Sequence, residues 1–548
     1  MRRWRRPGDR APAVQGVAAL LPLAFLAVFF AYPVVTLVAR GFRGDAGWTL
    51  APVIDVLASP RTGRIVRQTL LLAVTGTAAS LVLGVPGAYV LYRLRFRGQR
   101  ALRALVAVPF VLPSVVVGVA FRSLLAVGGP LGRLGLNESF AAIVLALVFF
   151  NYSVVVRTVG ALWAGLDRRT ADAARSLGAG PVRVFRTITL RALAPAIASA
   201  AALVFLFCAS AFGVVLVLGG TRWGTVETEI WYQTTQLLNL PAAAALSIVQ
   251  LVLVTATLAV ANATRARQER ALRLTGRPSA QPVRRSDAPA LIVTGLALAL
   301  LVLPLATLVT RSFRTASGWG LDHYAALATA GAGTLTVTVW RAVANSLVTA
   351  VAAAGLALAL GFLASFVLSG RRRGRLAGFF DAAFMLPLGI SAVTVGFGFL
   401  ISLNRPPLDL RTSWALIPLA QAMVALPLVV RTLLPTWRAL DPRLREAAAT
   451  LGARPARVFA TVDLPFLRRG LGLAAGFAFA TSLGEFGATS FLARPDKPTL
   501  PVVVYRLISR PGVDNFGLAM AAAVVLAVLT ATVMAVAELL GPKEAVGW

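Results

Sequence analysis

Two short polar loops carry the residues best suited to specific chemistry, and the second loop is the more complete. It contains Glu446, then Ala447 and two further alanines, then Gly452. Asp441 suits a helix N-cap and Pro442 suits the first helical position, so a short helix ending near Gly452 is predicted. The alanines leave a thin helix face, the carboxylate offers one directional charge contact, and the glycine permits a sharp turn. A face of this kind is one that a partner can approach closely.

The first loop repeats this spacing with Asp172, Ala173 and Gly178. When Leu166–Leu190 is aligned without gaps against Leu440–Leu464, 14 of the 25 positions are identical. The identical pairs include Asp167 with Asp441, Pro181 with Pro455, and Phe185 with Phe459. The repetition predicts two equivalent structural units, each of which presents one loop of the same type.

Glu485 is an acidic residue that we place inside an apolar segment. A carboxylate near the centre of a membrane span costs about 2.5–3.5 kcal/mol on insertion scales, so it usually faces a cavity or a partner. Two interpretations are open: contact with a cationic substrate or a gating hydrogen bond, and pairing with backbone groups freed by the flanking glycines. Its counterpart in the repeat is Ala211, so any role is one-sided. The residues predicted to line a substrate pathway are Phe212, Gly213, Glu485 and Phe486.

Other reactive groups are few and scattered. Cys208 is the single cysteine and His323 the single histidine, which excludes a disulfide framework and a Cys/His metal cluster. The lysines are Lys497 and Lys543, and neither lies in the glycine pattern of a phosphate-binding loop. We find no nucleophile beside a base. The chain is therefore predicted to bind no metal or cofactor and not to be an enzyme.

The elements that position these residues are membrane spans. Hydrophobic residues make up 58% of the chain and charged residues 14%, more apolar side chain than a soluble core could bury. About 20 apolar residues cross roughly 30 Å of hydrocarbon. The predicted fold is all-α and integral to the membrane, with about 12 transmembrane helices. The apolar runs lie near 15–39, 67–92, 104–127, 140–162, 192–218, 242–263, 289–310, 343–369, 377–400, 413–434, 467–492 and 516–540.

The position of the basic residues indicates the orientation. A net charge of +33 would suggest a nucleic-acid partner in a soluble protein. With the N-terminus inside, 37 of the 54 Lys and Arg residues fall on the cytoplasmic side of the spans. We therefore predict a multi-pass protein with both termini in the cytoplasm, contacts to membrane lipids, and no nucleic-acid partner.

The repeat divides the chain into two halves of six spans each. Because six is even, both halves have the same orientation and are related by an axis along the membrane normal. We predict a first half at residues 1–264, a linker at 265–288 and a second half at 289–548. The linker is rich in Arg, Pro and Ser and is expected to be a loose cytoplasmic tether. The repeated loops occupy 167–191 and 441–465.

The second loop resembles the E-A-A-x3-G-x9-I-x-L-P loop of ATP-binding-cassette (ABC) importer permeases. Val462 stands in place of Ile, and Leu464 and Pro465 follow. The first loop keeps the spacing but has Asp172 in place of Glu and Arg191 in place of the final Pro. The resemblance implies the type I ABC importer permease fold, built from two parallel six-helix repeats in a bacterial plasma membrane.

The same resemblance implies the partners. Each loop would dock on one of two copies of a separate ATPase subunit, which would bind ATP and Mg. An extracytoplasmic substrate-binding protein would deliver the substrate. The loop residues to which the resemblance assigns ATPase coupling are Asp172, Ala173, Gly178, Phe185, Glu446, Ala447, Gly452 and Phe459.

Fused permeases of this kind resemble thiamine importers and ferric-iron importers. The segments 225–233 and 482–487 and the region around Tyr505 are similar to thiamine permeases, although molybdate and sulfate permeases share the Gly-Glu-Phe-Gly element. The resemblance favours thiamine or its phosphates as substrate, with ferric iron second. A twelve-span secondary transporter fits the span count, but it has no need for paired loops, and the spans show little ionisable chemistry for ion coupling.

Overall fold

A computed structural model describes residues 11–44, 47–167, 169–269, 281–315, 318–329, 335–370, 380, 383–384, 390–404, 406 and 408–540. The architecture is all-α, as predicted, with three pairs of two-residue strands at the ends of helices. Long apolar helices form because the lipid supplies no hydrogen-bonding partners, so each backbone N–H must bond within its own helix.

The helices follow the same order in both halves. In the first half they are α1 Ala11–Leu26, α2 Tyr32–Gly41, α3 Ala51–Ala58, α4 Pro60–Arg93, α5 Gln99–Val111, α6 Ser114–Leu125, α7 Phe140–Ala164, α8 Arg169–Ser176, α9 Pro181–Val184, α10 Leu190–Ala209, α11 Gly213–Leu218, α12 Val226–Thr235 and α13 Leu240–Glu269. The second half contains α14 Ala288–Ser312, α15 Asp322–Ala326, α16 Val339–Gly370, α17 Ala392–Ser402, α18 Leu416–Arg438, α19 Pro442–Thr450, α20 Pro455–Val458, α21 Leu464–Gly484, α22 Thr489–Leu492, α23 Leu500–Ile508 and α24 Val513–Leu540.

Shorter elements connect these helices. Five-residue π-helices occupy Ala27–Ala31, Phe185–Thr189 and Phe459–Asp463, and 3-10 turns occupy Gly132–Leu134 and Arg285–Asp287. The strand pairs are β1 Arg43–Gly44 with β2 Gly47–Trp48, β3 Leu94–Arg95 with β4 Gln281–Pro282, and β5 Arg314–Thr315 with β6 Gly318–Trp319. The first and third pairs are antiparallel hairpins directly after the first membrane helix of each half.

Ten of the twelve expected spans are present as long apolar helices in the described part of the chain. Nine helices meet the length and composition of a span, and α5 with α6, bent by 106°, makes a tenth. For the expected ninth span, the described helix is the 11-residue α17, and most of the preceding residues lie outside the described ranges. The expected eleventh span breaks after Gly484, where α21 ends, and the chain resumes helical structure at Thr489.

The first membrane helices are exchanged between the halves. α1 packs against α16 and α2 against α17, with Phe25 and Phe30 buried in the core of the second half. Reciprocally, α14 packs against α4 and α6, with Leu301 and Leu308 buried in the core of the first half. Each half is therefore completed by a helix from the other half.

The end of the linker is attached to the first half. β4 pairs in parallel with β3, which directly follows the C-terminal end of α4. The Tyr89 hydroxyl donates a hydrogen bond to Asp287 Oδ1 at 2.8 Å and accepts one from Gln281 Nε2 at 2.7 Å. The expected loose tether is thus fixed in place from Gln281 onward, and residues 270–280 lie outside the described ranges.

Candidate functional site

The two repeated loops fold alike, as a short helix, a glycine turn and a second helical start. In the second loop the Asp441 side chain caps α19 by accepting a hydrogen bond from the Arg443 backbone N–H at 3.0 Å. Gly178 and Gly452 have φ of +84° and +80°, the left-handed region in which a side chain is strained. A Cβ at either glycine would meet no atom within 4 Å, so the backbone angle, and not crowding, requires glycine there.

The short helices α8 and α19 of the two loops expose acidic residues and alanines to solvent. Asp172, Ala173, Glu446 and Ala447 are all exposed. At the glycine turns, Leu177 and its counterpart Leu451 are 89% and 88% exposed. A leucine projecting almost fully into water at the same place in both loops is unfavourable in isolation and indicates a surface that a partner covers.

Aromatic contacts hold the base of each loop against the membrane helices. Phe185 and Phe459 each begin a π-helix directly after the second helical start. The ring of Phe185 lies 6.4 Å from that of Trp163, and the ring of Phe459 lies 6.2 Å from that of Phe362. Phe362 in turn contacts Trp437, the counterpart of Trp163, at 5.1 Å. These ring contacts join the base of each loop to the long spans.

The loops differ in their charged contacts. In the second loop Arg445 Nε lies 2.7 Å from Oδ1 of Asp463, a buried carboxylate in the π-helix, so α19 is joined to the base of the loop. In the first loop Asp172 forms its ion pair within α8, with Arg175 at 3.1 Å, and both side chains are half-exposed. Glu446 has no ion-pair partner among the residues that the structure describes.

The predicted pathway residues Phe212 and Phe486 meet at the boundary between the halves. Their rings stack with centroids 5.4 Å apart and planes 19° from parallel. Trp231 and Tyr505 are a second pair of counterparts in the repeat, and their rings are in edge-to-face contact with centroids 5.7 Å apart. Because equivalent residues of the two halves contact each other, the pseudo-twofold axis of the repeat passes through this aromatic cluster. We call the boundary around these four rings the seam.

Gly213 permits this close approach. A Cβ at Gly213 would collide with the Ser114 hydroxyl and lie 3.4 Å from the Phe486 ring. The helix α11 therefore reaches the seam only because its first residue has no side chain.

Glu485 is buried at the break between α21 and α22. Its Oε1 accepts a hydrogen bond from the Ala488 backbone N–H at 2.7 Å, and its Oε2 accepts from the Thr489 N–H at 2.9 Å and from the Thr489 hydroxyl. This is the geometry of a helix cap for α22. A role for Glu485 with substrate stays a prediction.

Sequence reasoning did not single out the second buried carboxylate at the seam, Glu227. It lies in the first turn of α12 and is fully buried, and its Oε2 accepts a hydrogen bond from the Ser391 hydroxyl of the second half at 2.6 Å. Two residues on, Glu229 is instead paired with Arg61 at 2.8 Å. The signal that could have found Glu227 is the N-capped Thr-Val-Glu-Thr-Glu run, which places two acids in one helical turn.

Across the described ranges no three His, Cys, Asp or Glu side chains come together as a metal site. The geometry instead combines two solvent-facing docking loops with a buried aromatic and acidic seam between two membrane halves.

Comparison with known proteins identifies this combination. Residues 76–270 match the model of the binding-protein-dependent transport system inner membrane component family. The sulfate transport system permease protein CysT of Salmonella typhimurium is 31% identical over 41% of this chain and 83% of its own length. The chain belongs to this family and is the membrane permease of an ABC importer.

Among the relatives, a thiamine transport system permease protein, ThiP of Brucella abortus, matches both halves. It is 29% identical over 97% of this chain and 97% of its own length. The molybdenum transport system permease protein ModB of Azotobacter vinelandii is 36% identical over 30% of this chain and 78% of its own length. A solved bacterial ABC transporter for alginate import covers 48% of this chain with a TM-score of 0.41 and 17% identity.

Proposed function

We propose that this chain is the fused permease of an importer for thiamine or its phosphates. The observation that carries the proposal is the match to a thiamine permease along 97% of both chains, through both halves and the linker. The sulfate and molybdenum relatives align with 41% and 30% of this chain. A relative that shares the fused arrangement is the better guide to substrate than one that shares a single segment.

The energy source is a separate ATPase, with one copy on each loop. Two observations support this arrangement: the loops repeat in sequence and in backbone, and each presents an almost fully exposed leucine at its glycine turn. ATP and Mg are bound by that partner and not by this chain. The substrate reaches the seam from an extracytoplasmic binding protein.

In this proposal the chain lies in a bacterial plasma membrane with both termini in the cytoplasm. The excess of basic residues on the loop side supports that orientation. The first half comprises residues 1–264, the linker 265–288 and the second half 289–548. The linker stays on the cytoplasmic side, where β4 pairs with β3 beside the docking loops.

Reconstitution tests the energy source. In proteoliposomes the chain alone is expected to show no ATP hydrolysis and no ATP-driven uptake, and with the ATPase it is expected to bind two copies. Native mass spectrometry of the purified complex gives the stoichiometry. Sustained hydrolysis by the isolated chain would overturn this part of the proposal.

Competition tests the substrate. The complete system is loaded with a binding protein, and uptake of labelled thiamine is compared with uptake of ferric iron. We expect thiamine uptake that is unaffected by excess iron. Iron uptake that a large excess of thiamine leaves unchanged would instead assign the chain to iron transport.

A further inference from the structure

Glu227 stands apart from the other acidic residues of the membrane region. Its Oε1 is buried and accepts no hydrogen bond of good geometry, the one carboxylate oxygen in that state among the residues described, and the Gln250 side-chain amide is a polar group close to it. No lysine or arginine forms an ion pair with Glu227 within the described ranges. A buried carboxylate that lacks a full set of partners is costly, and such groups persist in proteins mainly where they act on something else.

The surroundings of Glu227 are suited to a flat organic cation. Trp231 lies one helical turn further along α12, on the same face, and its indole N–H is also buried without a partner among the described residues. The Trp231 ring contacts Tyr505, which contacts Phe486 at 5.3 Å. Aromatic faces attract cations, and a cation beside Glu227 favours the ionised carboxylate, whereas burial without such a cation raises the pKa of Glu227 to about 8. One helix turn therefore places an unsatisfied acid and an unsatisfied donor beside a group of rings.

The acid is present on one side of the seam and joins both halves. The counterpart of Glu227 in the repeat is Pro501, which has no charge. Ser391, the donor to Glu227, is the N-cap of α17 in the second half. In parallel-repeat transporters the two halves move against each other around a central site. Separation of the halves would break the Ser391 hydrogen bond and free both carboxylate oxygens.

We propose that Glu227, with Trp231 and Tyr505, forms a recognition site for an aromatic organic cation as it passes the seam. The site deepens the proposed function, on which it rests for the choice of thiamine as probe. The carboxylate contacts the cationic ring, Trp231 and Tyr505 stack on its face, and Ser391 occupies the carboxylate while the halves are closed. Because the counterpart of Glu227 in the repeat carries no charge, the site is asymmetric and fits a substrate that binds in one orientation.

The test compares Glu227→Gln with Glu229→Gln in the complete transporter, with ATPase and binding protein, in proteoliposomes. Glu229 lies on the same helix but is satisfied by Arg61, so it is the matched control. Two probes are loaded on the binding protein at saturation: thiamine, and an analogue in which a neutral thiophene replaces the thiazolium ring. Uptake and binding-protein-stimulated ATP hydrolysis are measured for each.

In the wild type we expect thiamine to be taken up faster than the neutral analogue. Glu227→Gln is expected to slow thiamine uptake by about tenfold, to the rate of the analogue, because a charge-assisted contact is lost. In Glu227→Gln, uptake of the neutral analogue and binding-protein-stimulated ATP hydrolysis are expected to stay within about twofold of wild type. In Glu229→Gln, uptake of both probes and stimulated hydrolysis are expected to stay within the same range. A structural role for Glu227 would lower both probes and hydrolysis together, and that outcome overturns the inference.

The inference is also overturned if the ratio of thiamine uptake to analogue uptake in Glu227→Gln equals that of the wild type. If the wild-type system transports neither probe, the proposed substrate is wrong, and the comparison is repeated with the ligand found on the binding protein. A cationic ligand whose uptake falls about tenfold in Glu227→Gln supports the inference. An anionic ligand, or one that is indifferent to Glu227→Gln, refutes it.

Discussion

The two repeated loops and the seam differ in how far they keep the symmetry of the internal repeat. In the loops, counterparts keep the same backbone: Gly178 and Gly452 share a positive φ, and both loops continue into a π-helix. At the seam each buried acid has an uncharged counterpart in the repeat: Glu227 aligns with Pro501, and Glu485 aligns with Ala211. Symmetry is kept where two copies of one partner are proposed to dock and is lost where one small molecule is proposed to pass.

The largest expected effect tests the shared backbone of the loops. Gly452→Val places a branched side chain at φ +80°, which costs about 1–3 kcal/mol and redirects the chain after α19. We expect loss of ATPase pull-down and of coupled hydrolysis, with membrane insertion unchanged. Gly180→Val is the control, because Gly180 has φ −64° and its Cβ would also meet open space. Normal coupling in Gly452→Val would remove the glycine turn from the mechanism.

The next effect tests whether the two loops are equivalent. Glu446→Ala is expected to weaken ATPase binding more than Asp172→Ala, because Asp172 is already paired with Arg175. A charge contact buried at an interface is worth about 2–5 kcal/mol, and one at the rim is worth little. Pull-down and substrate-stimulated hydrolysis at matched membrane levels measure both. Equal losses in the two variants would show that the loops dock identically despite their sequences.

A smaller effect concerns the ion pair that is present in the second loop and not at the same place in the first. Arg445→Gln, Asp463→Asn and the double variant form a double-mutant cycle for the 2.7 Å contact. For a partly exposed pair we expect a coupling energy of about 1 kcal/mol in ATPase affinity. Arg175→Gln in the first loop, where the pair is exposed, is expected to change affinity by less than about twofold. A zero coupling energy at Arg445 would contradict the difference between the loops.

The smallest effect separates the two buried acids of the seam. Glu485→Gln retains one oxygen to cap α22, so we expect a stability loss of about 1 kcal/mol and thiamine uptake within about threefold of wild type. Thermal unfolding of the purified chain and uptake in proteoliposomes check the two parts. If uptake falls far more than stability, Glu485 belongs to the substrate pathway, and the contrast with Glu227 disappears.

Local signals in the sequence predicted the loops well. The Asp-Pro start of α19 and its glycine end follow from short-range rules for helix caps, and the structure places the cap at Asp441 and the positive φ at Gly452. The membrane spans were equally accessible, because each depends on hydropathy within about 20 residues. The breaks inside the expected fifth and eleventh spans were not predicted, because hydropathy continues through both although their helices stop at Ala209 and Gly484.

The seam was only partly predictable. Phe212 and Phe486 were found because they repeat, although their stacking on each other was not foreseen. The Glu227 contact to Ser391 joins residues 164 positions apart, in different halves, and no pattern in a single sequence specifies such a pair. The exchange of α1 and α14 between the halves is hidden for the same reason, since lipid-facing and partner-facing leucines look alike in a hydropathy pattern.

Because α1 and α14 are exchanged between the halves, α1 is synthesised well before the helix against which it packs. α1 is among the first segments to enter the bilayer, yet its packing partner α16 begins at Val339. At roughly 5–20 residues per second, the ribosome needs on the order of half a minute to make the intervening chain. During that interval α1 rests against lipid, or against the insertion machinery, with the aromatic side chains of its later interface uncovered. α1 and α2 therefore reach their final packing only after α16 and α17, which end at Gly370 and Ser402, have been made.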